Sequence, residues 1–276
     1  MFLFFKNLRH HLLSQNKLRK YLLYAFGEII LVVTGILIAL YINNWNREQE
    51  QEKEFTGYYQ AIQKELNLNL AIIKLWREDN NGFIDSFQKE LPILNSKNLD
   101  TADPIQNILV HLTTVGFPEP PLPIIDRFQN SQYLAQIKSD TLLFYFTKLS
   151  FVRLQTKNFI KADFDINNTI IQPYVLKHID CNQPNIMTGK KFTFPDGPPT
   201  NYKHLSNNFE FWNIAQFKLI LLYNYLELLD QLIQTMESIN LQIDIELEKR
   251  GVDLKKQSTN AKKQEVSMDS PLQATN

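Results

Sequence analysis

Residues 22–42 read LLYAFGEIILVVTGILIALYI, 21 residues with a single charge, Glu28. As a helix rising about 1.5 Å per residue the stretch reaches about 31 Å, close to the roughly 30 Å of a bilayer's hydrocarbon core. Thirteen of its residues are Leu, Ile, Val or Phe. They contribute on the order of −4 to −8 kcal/mol to insertion, against about +3 kcal/mol for one acidic residue at the bilayer centre. Glu28 lies about 9 Å from the nearer boundary, so its penalty falls below that figure. A cleaved signal peptide would have a shorter apolar region, about 7–15 residues, ending in a small-x-small site. Tyr41-Ile42-Asn43-Asn44-Trp45 stands there instead. The stretch therefore reads as an uncleaved anchor, with the transmembrane helix spanning 21–43.

Working outward, Lys6, Arg9, Lys17, Arg19 and Lys20 precede the span and no acidic residue does, whereas Arg47 and Lys53 are the cations just beyond it. The positive-inside bias predicts a single-pass protein with a cytoplasmic N-terminus and the remainder on the other side. Tyr21 and Tyr24 fall at the inner interface, Tyr41 and Trp45 at the outer one. In residues 1–20, Phe2, Phe4, Phe5, Leu8, Leu12 and Leu13 interleave with Lys6, Arg9, His10 and His11. That pattern fits a basic amphipathic cytoplasmic segment on an anionic leaflet, or equally a disordered basic tail.

The formal net charge is zero and 44% of residues are hydrophobic, enough for a helical core and without the basic stripe that nucleic acid requires. Cys181 is the only cysteine, which excludes an internal disulfide and any multi-cysteine zinc site. Eight glycines and long 3.6-period patterns predict an all-α fold. The expected organisation is a helical bundle over 44–250, with long coiled-coil-like helices, and a polar, disordered tail over 251–276.

Phe55, Tyr59, Ile62, Leu66, Asn69, Ile73 and Trp76 alternate steps of four and three, a heptad seam that predicts continuation of the membrane helix at least to Trp76. Asn80-Asn81-Gly82 is a candidate kink, and Pro92 is expected to end the helix that follows. A short helix is expected from an Asp103 cap to about Gly116, then an extended connector through Phe117-Pro118-Glu119-Pro120-Pro121-Leu122-Pro123. Another short helix is expected over Asp126–Ile137, and a long one from a Ser139 cap that Pro173 kinks or ends. The irregular stretch from His178 to Ser206 is, on length and composition, the candidate functional loop or mobile lid. A last helix, from about Asn208 to Arg250, carries Ala215, Leu219, Leu222, Leu226, Leu229, Ile233, Met236, Asn240, Ile243 and Leu247, and Gly251 closes it.

The two seams either pack on one another within one bundle, or leave one exposed for a homo-oligomer with Asn69 and Asn240 setting register. Within the span, Gly27, Glu28, Gly35 and Ala39 share a stripe, and Gly35-Ile36-Leu37-Ile38-Ala39 is a small-x-x-x-small motif. Such residues are candidates for membrane helix pairing. The alternative is ordinary span composition, with Glu28 reaching toward the inner head groups.

No constellation specifies a reaction, so no catalytic, cofactor or metal residue is assigned and the chain is read as a non-enzyme. Asp163-Phe164-Asp165-Ile166-Asn167 resembles the opening of a calcium loop, but Asn168 and Tyr174 stand where that loop needs Gly and Glu, and a solvated helix face is expected instead. His178, Asp180, Cys181 and His204 match no tight metal spacing. Gly189-Lys190-Lys191 lacks the upstream glycine of a phosphate loop.

The run Lys20–Leu40, followed by Ile42-Asn43-Asn44-Trp45-Asn46, resembles the signature of an uncharacterised family of single-pass membrane proteins from Bacteroidetes-type bacteria, a domain of unknown function. Asp126-Arg127-Phe128-Gln129-Asn130-Ser131-Gln132-Tyr133-Leu134 is similar to a further family segment, except that Gln132 replaces a usual Gly. Asn207-Asn208-Phe209 resembles the opening of the family's final helix. The resemblance implies a basic N-terminus, one anchor, a mostly helical domain and no activity to transfer. The expected role is an anchored, non-enzymatic interaction or scaffold protein of the bacterial cell envelope. It would sit in the inner membrane with a periplasmic C-terminal domain, and its partners would be the bilayer and either a second copy or another envelope protein. The alternative is a ligand-sensing bundle that signals through a membrane partner.

Overall fold

A computed structural model of the chain describes residues 18–94, 106–180 and 200–252. Among these residues the structure is all-α, with no strand. The chain divides into two compact units, up to Gly57 and from Tyr58 onward. The expectations for residues 1–17, the start of the second helix at Asp103, Cys181, Gly189-Lys190-Lys191 and the tail beyond Val252 lie outside the described residues.

Helix α1 runs over Leu18–Leu94. Asn80-Asn81-Gly82 does not break it. Pro92 lies inside its last turn, so the helix ends two residues later than the proline alone predicts. A proline there removes one amide bond, yet α1 continues through the rest of that turn to Leu94. From Tyr58 onward α1 buries Tyr59, Ile62, Leu66, Asn69 and Ile73, the seam read from the sequence.

Helix α2, Gln106–Leu112, stops a turn short of the expected Gly116. The connector that follows leads into α3, Pro123–Gln129, which begins earlier than expected because Pro123 fits the first turn of a helix. A single 3-10 turn over Leu134–Gln136 is all that remains of the predicted extension to Ile137.

Helix α4 spans Asp140–Ile166, and the Ser139 hydroxyl accepts from the Leu142 amide as the cap reading expected. Pro173 neither kinks nor ends the pattern in the simple way foreseen. The chain passes through a π-helical turn over Asn167–Ile171, in which the Gln172 amide donates to the Asn167 carbonyl five residues back, and resumes as α5, Gln172–His178. The widened turn places Pro173 in the first turn of a new helix, where its missing N–H costs nothing.

Helix α6, Tyr202–Ser206, precedes α7, Phe209–Lys249. The Asn208 side chain caps α7 by accepting from the Phe211 amide at 3.0 Å. At the other end Gly251 takes φ +74°, with Val252 N–H donating to Leu247 O and Gly251 N–H to Glu248 O. Those two bonds are a Schellman closure, which favours glycine at the left-handed position.

Helices α1 and α7 lie antiparallel. Gln63 donates to Asp244 at 2.6 Å, Asn240 to Asn67 at 2.8 Å, Lys74 to Glu237 at 2.7 Å and Asn80 to the Leu222 carbonyl at 2.9 Å, while Arg77 pairs with Asp230. Both seams therefore turn inward in one chain. The polar seam residues Asn69 and Asn240 have intramolecular partners.

Candidate functional site

The stripe singled out in the span is open. Gly27, Glu28, Gly35 and Ala39 are all exposed, and a Cβ added at Gly27 or Gly35 would meet nothing within 4 Å. The apolar window is not buried at all, and Leu31 and Tyr41 are 71% and 72% exposed. The core helix of a water-soluble domain would bury such side chains. Here they face outward, as lipid or a second helix requires.

Beyond Tyr58 the long helix holds a second feature that its seam alone does not reveal, a row of buried polar groups aimed at other elements. Both carboxylate oxygens of Glu65 accept backbone amides at the start of α3, Ile124 N–H at 2.8 Å and Ile125 N–H at 2.9 Å. This is a capping bond supplied by another helix, and it puts negative charge where the helix dipole favours it. Asn69 donates to the Pro121 carbonyl at 3.3 Å. Trp76 stacks on Phe117 with ring centroids 5.0 Å apart. Glu90 accepts the Ile108 amide at 3.0 Å in the first turn of α2. The proline-rich connector is thus held by α1 from below. Arg153 of α4 pins it from the side, binding both Glu119 and Asp126.

The third feature is an ion pair inside the core. Lys218 Nζ lies 3.0 Å from Asp163 Oδ1, with side-chain exposures of 1% and 3%. The other Asp163 oxygen accepts the Gly116 amide at 3.1 Å, so the carboxylate joins α4, α7 and the connector. Asp163 was expected on a solvated face and is buried instead, because the α4 stripe of Leu149, Val152 and Thr156 continues through it. Burial pushes the Lys218 ammonium below the usual lysine range, against the pull of Asp163. Tyr225 closes the cluster. Its hydroxyl donates to the Phe117 carbonyl, its ring stacks on Phe159, and burial raises its pKa well above the usual tyrosine range. A Cβ at Gly116 would approach that ring to 3.2 Å, which explains a glycine at this position.

The fourth feature is the base of the loop between His178 and Ser206. The structure brings together His178 and His204, whose rings stack at 5.9 Å, and Tyr174, whose ring is 4.5 Å from that of His178. Burial, with Glu210 nearby, raises the Tyr174 hydroxyl to about 12. His204 Nε2 lies 3.2 Å from the Asn208 amide nitrogen. Among the described residues no three His, Cys, Asp or Glu side chains gather as a metal site would need.

His111 on α2 rests against Phe83, ring centroids 4.1 Å apart, and its buried Nδ1 has no partner among the described residues. Burial lowers its pKa, so near pH 6 the unfolded chain binds a proton that the folded chain refuses. Stability is therefore expected to fall as pH drops below about 6.5. Urea unfolding at pH 7.5 and 5.5 checks this. The wild-type chain should lose more stability on acidification than His111→Phe, and equal losses would clear His111 of the effect.

These features define an all-helical protein whose first helix carries a stretch long and apolar enough to cross a membrane. Residues 28–98 match the model of a family of unknown function, DUF6090. No curated protein and no solved structure matches the chain. The match takes in Glu28, Gly35 and Ala39 and the polar row Glu65, Asn69, Asn80 and Glu90. It ends before Ile108, Pro121, Ile124, Ile125 and Leu222, which those four groups hold among the described residues, and before Asp126–Leu134 and Asn207–Phe209.

Proposed function

We propose that this chain is a membrane-anchored, non-enzymatic interaction or scaffold protein of the bacterial cell envelope. Its N-terminus lies in the cytoplasm and its helical domain on the periplasmic side of the inner membrane. The observation that carries the reading is the pairing of an outward-facing apolar helix with a domain whose buried polar groups, from Glu65 to Lys218, hold its own elements together. Groups committed to structural bonds of this kind leave surface recognition as the available activity. The lopsided charges before the span support the orientation.

A periplasm-dependent reporter enzyme fused after Asn276 tests the topology and should be active. A reporter active only in the cytoplasm would reverse the orientation. Crosslinking in native membranes, followed by purification of the chain, should then capture either a second copy or another membrane protein. Recovery of the uncrosslinked chain alone would sink the interaction role.

A further inference from the structure

Helix α4 turns a second seam outward. Its inner face buries Leu142, Phe146, Leu149 and Val152. On the opposite face Phe144, Thr147, Phe151, Leu154, Asn158 and Lys161 follow one another in alternating steps of three and four, and all six are exposed. Phe144, Phe151 and Leu154 are 61%, 59% and 56% exposed, with Leu143 and Phe164 exposed beside them. That spacing is the a/d seam of a coiled coil, on the face the fold leaves free.

We propose that this outer seam of α4 pairs two copies of the chain, side by side, with the two helices in register and running in the same direction. The proposal rests on the interaction reading above and names its surface. With Phe144, Phe151 and Asn158 at a positions and Thr147, Leu154 and Lys161 at d positions, each residue meets its own copy. A lone Asn at an a position is the element that fixes register and two-strandedness, because each amide offers both a donor and an acceptor. The flanking positions set Leu143 against Lys148, Ser150 against Gln155 and Lys157 against Ala162, so no like charges face each other there. Lys161, at the end of the seam, has Asp165 one turn on to offset it.

The outer face of α1 offers a competing seam, Lys64, Leu68, Ala71, Leu75 and Glu78, likewise exposed. The same pairing there would set like charges against themselves at both ends, Lys64 and Glu78, with no Asn at an a position, whereas the α4 seam does so at one end only, Lys161, and carries Asn158. The α4 seam is short, so its pairing depends on confinement of both copies to one bilayer, where the effective concentration is high.

The test uses the full chain in native membranes, with Cys181→Ser as background and single cysteines introduced by Phe151→Cys, Asn158→Cys, Leu68→Cys or Lys203→Cys. Mild oxidation should give disulfide-linked dimers at 151 and 158 and none at 68 or 203. Absence of a dimer at 158, or a dimer through 68 instead, overturns the proposal. Phe151→Glu should abolish the homodimer and leave the unfolding temperature unchanged. A fall in that temperature would mean that the chain itself covers this face, and would also overturn it. If no position yields a homodimer while the wild-type chain still captures a different membrane protein, the seam fails and the interaction role stands. If nothing at all is captured, both fail.

Discussion

Replacing Lys218 with alanine is expected to destabilise the helical domain by about 3–5 kcal/mol, the cost of leaving a buried charge without its counterion. The geometry puts the full penalty in play. Asp163 is 3% exposed and keeps only the Gly116 amide once the ammonium is gone. Water cannot replace it without opening the packing of α4 on α7. The same reasoning sets a second expectation, for removal of both charges together. Lys218→Met with Asp163→Leu replaces the pair by apolar groups, often a neutral exchange, but leaves the Gly116 amide without its acceptor, so the double variant should fall between Lys218→Ala and wild type. Urea unfolding of the full chain in mild detergent, followed by circular dichroism, measures both. A cost below about 1 kcal/mol for Lys218→Ala would mean that the pair is hydrated and not part of the core.

Glu65→Ala is expected to cost about 2–4 kcal/mol, because two amides at the start of α3 lose their acceptor and each unpaired buried donor costs about 1–3 kcal/mol. Ile125 is fully buried, so its amide has no ready access to water. Glu65→Gln keeps one oxygen and loses the charge, and should fall between the alanine variant and wild type. Hydrogen exchange gives the more specific reading. The Ile124 and Ile125 amides should exchange much faster in the alanine variant while amides in the middle of α7 change only with global stability. Uniform acceleration across both helices would show that the carboxylate supports overall stability without holding α3.

The elements governed by local chemistry were readable from the sequence. The apolar run from Leu22, the seam from Tyr59 to Ile73, the start of the last helix near Asn208, the cap at Ser139 and the closure at Gly251 each depend on residues within a turn or two of one another. The seam on α7 was readable only in part. Leu219 and Leu226 are half-buried, while Lys218, Leu221 and Tyr225 are buried in their place, because a 3.5-residue repeat drifts around a straight helix. Partners distant in sequence were not legible. Lys218 meets Asp163 55 residues away, and Glu65 meets Ile125 60 residues away. One signal was present and could have been used. Lys218 stands between Ala215 and Leu222, on the stripe that also carries Phe211, and Glu65 stands beside Leu66. A charge at a core-type position announces a buried partner without naming it. The turn before Pro173 was not legible, because a proline can end a helix or be absorbed by a widened turn, and only the packing decides between them.

The antiparallel pairing of α1 and α7 bears on how this protein could carry a signal. Gln63 with Asp244, Asn67 with Asn240, Lys74 with Glu237, Arg77 with Asp230 and Asn80 with the Leu222 carbonyl are rungs of one ladder, spread over more than four turns. A piston stroke that slid one helix by a single turn, about 5.4 Å, would break all of them at once. Past Tyr58, then, the pair is a welded beam and not a pair of sliding rods, and information would travel by moving the whole body or by what binds to its sides.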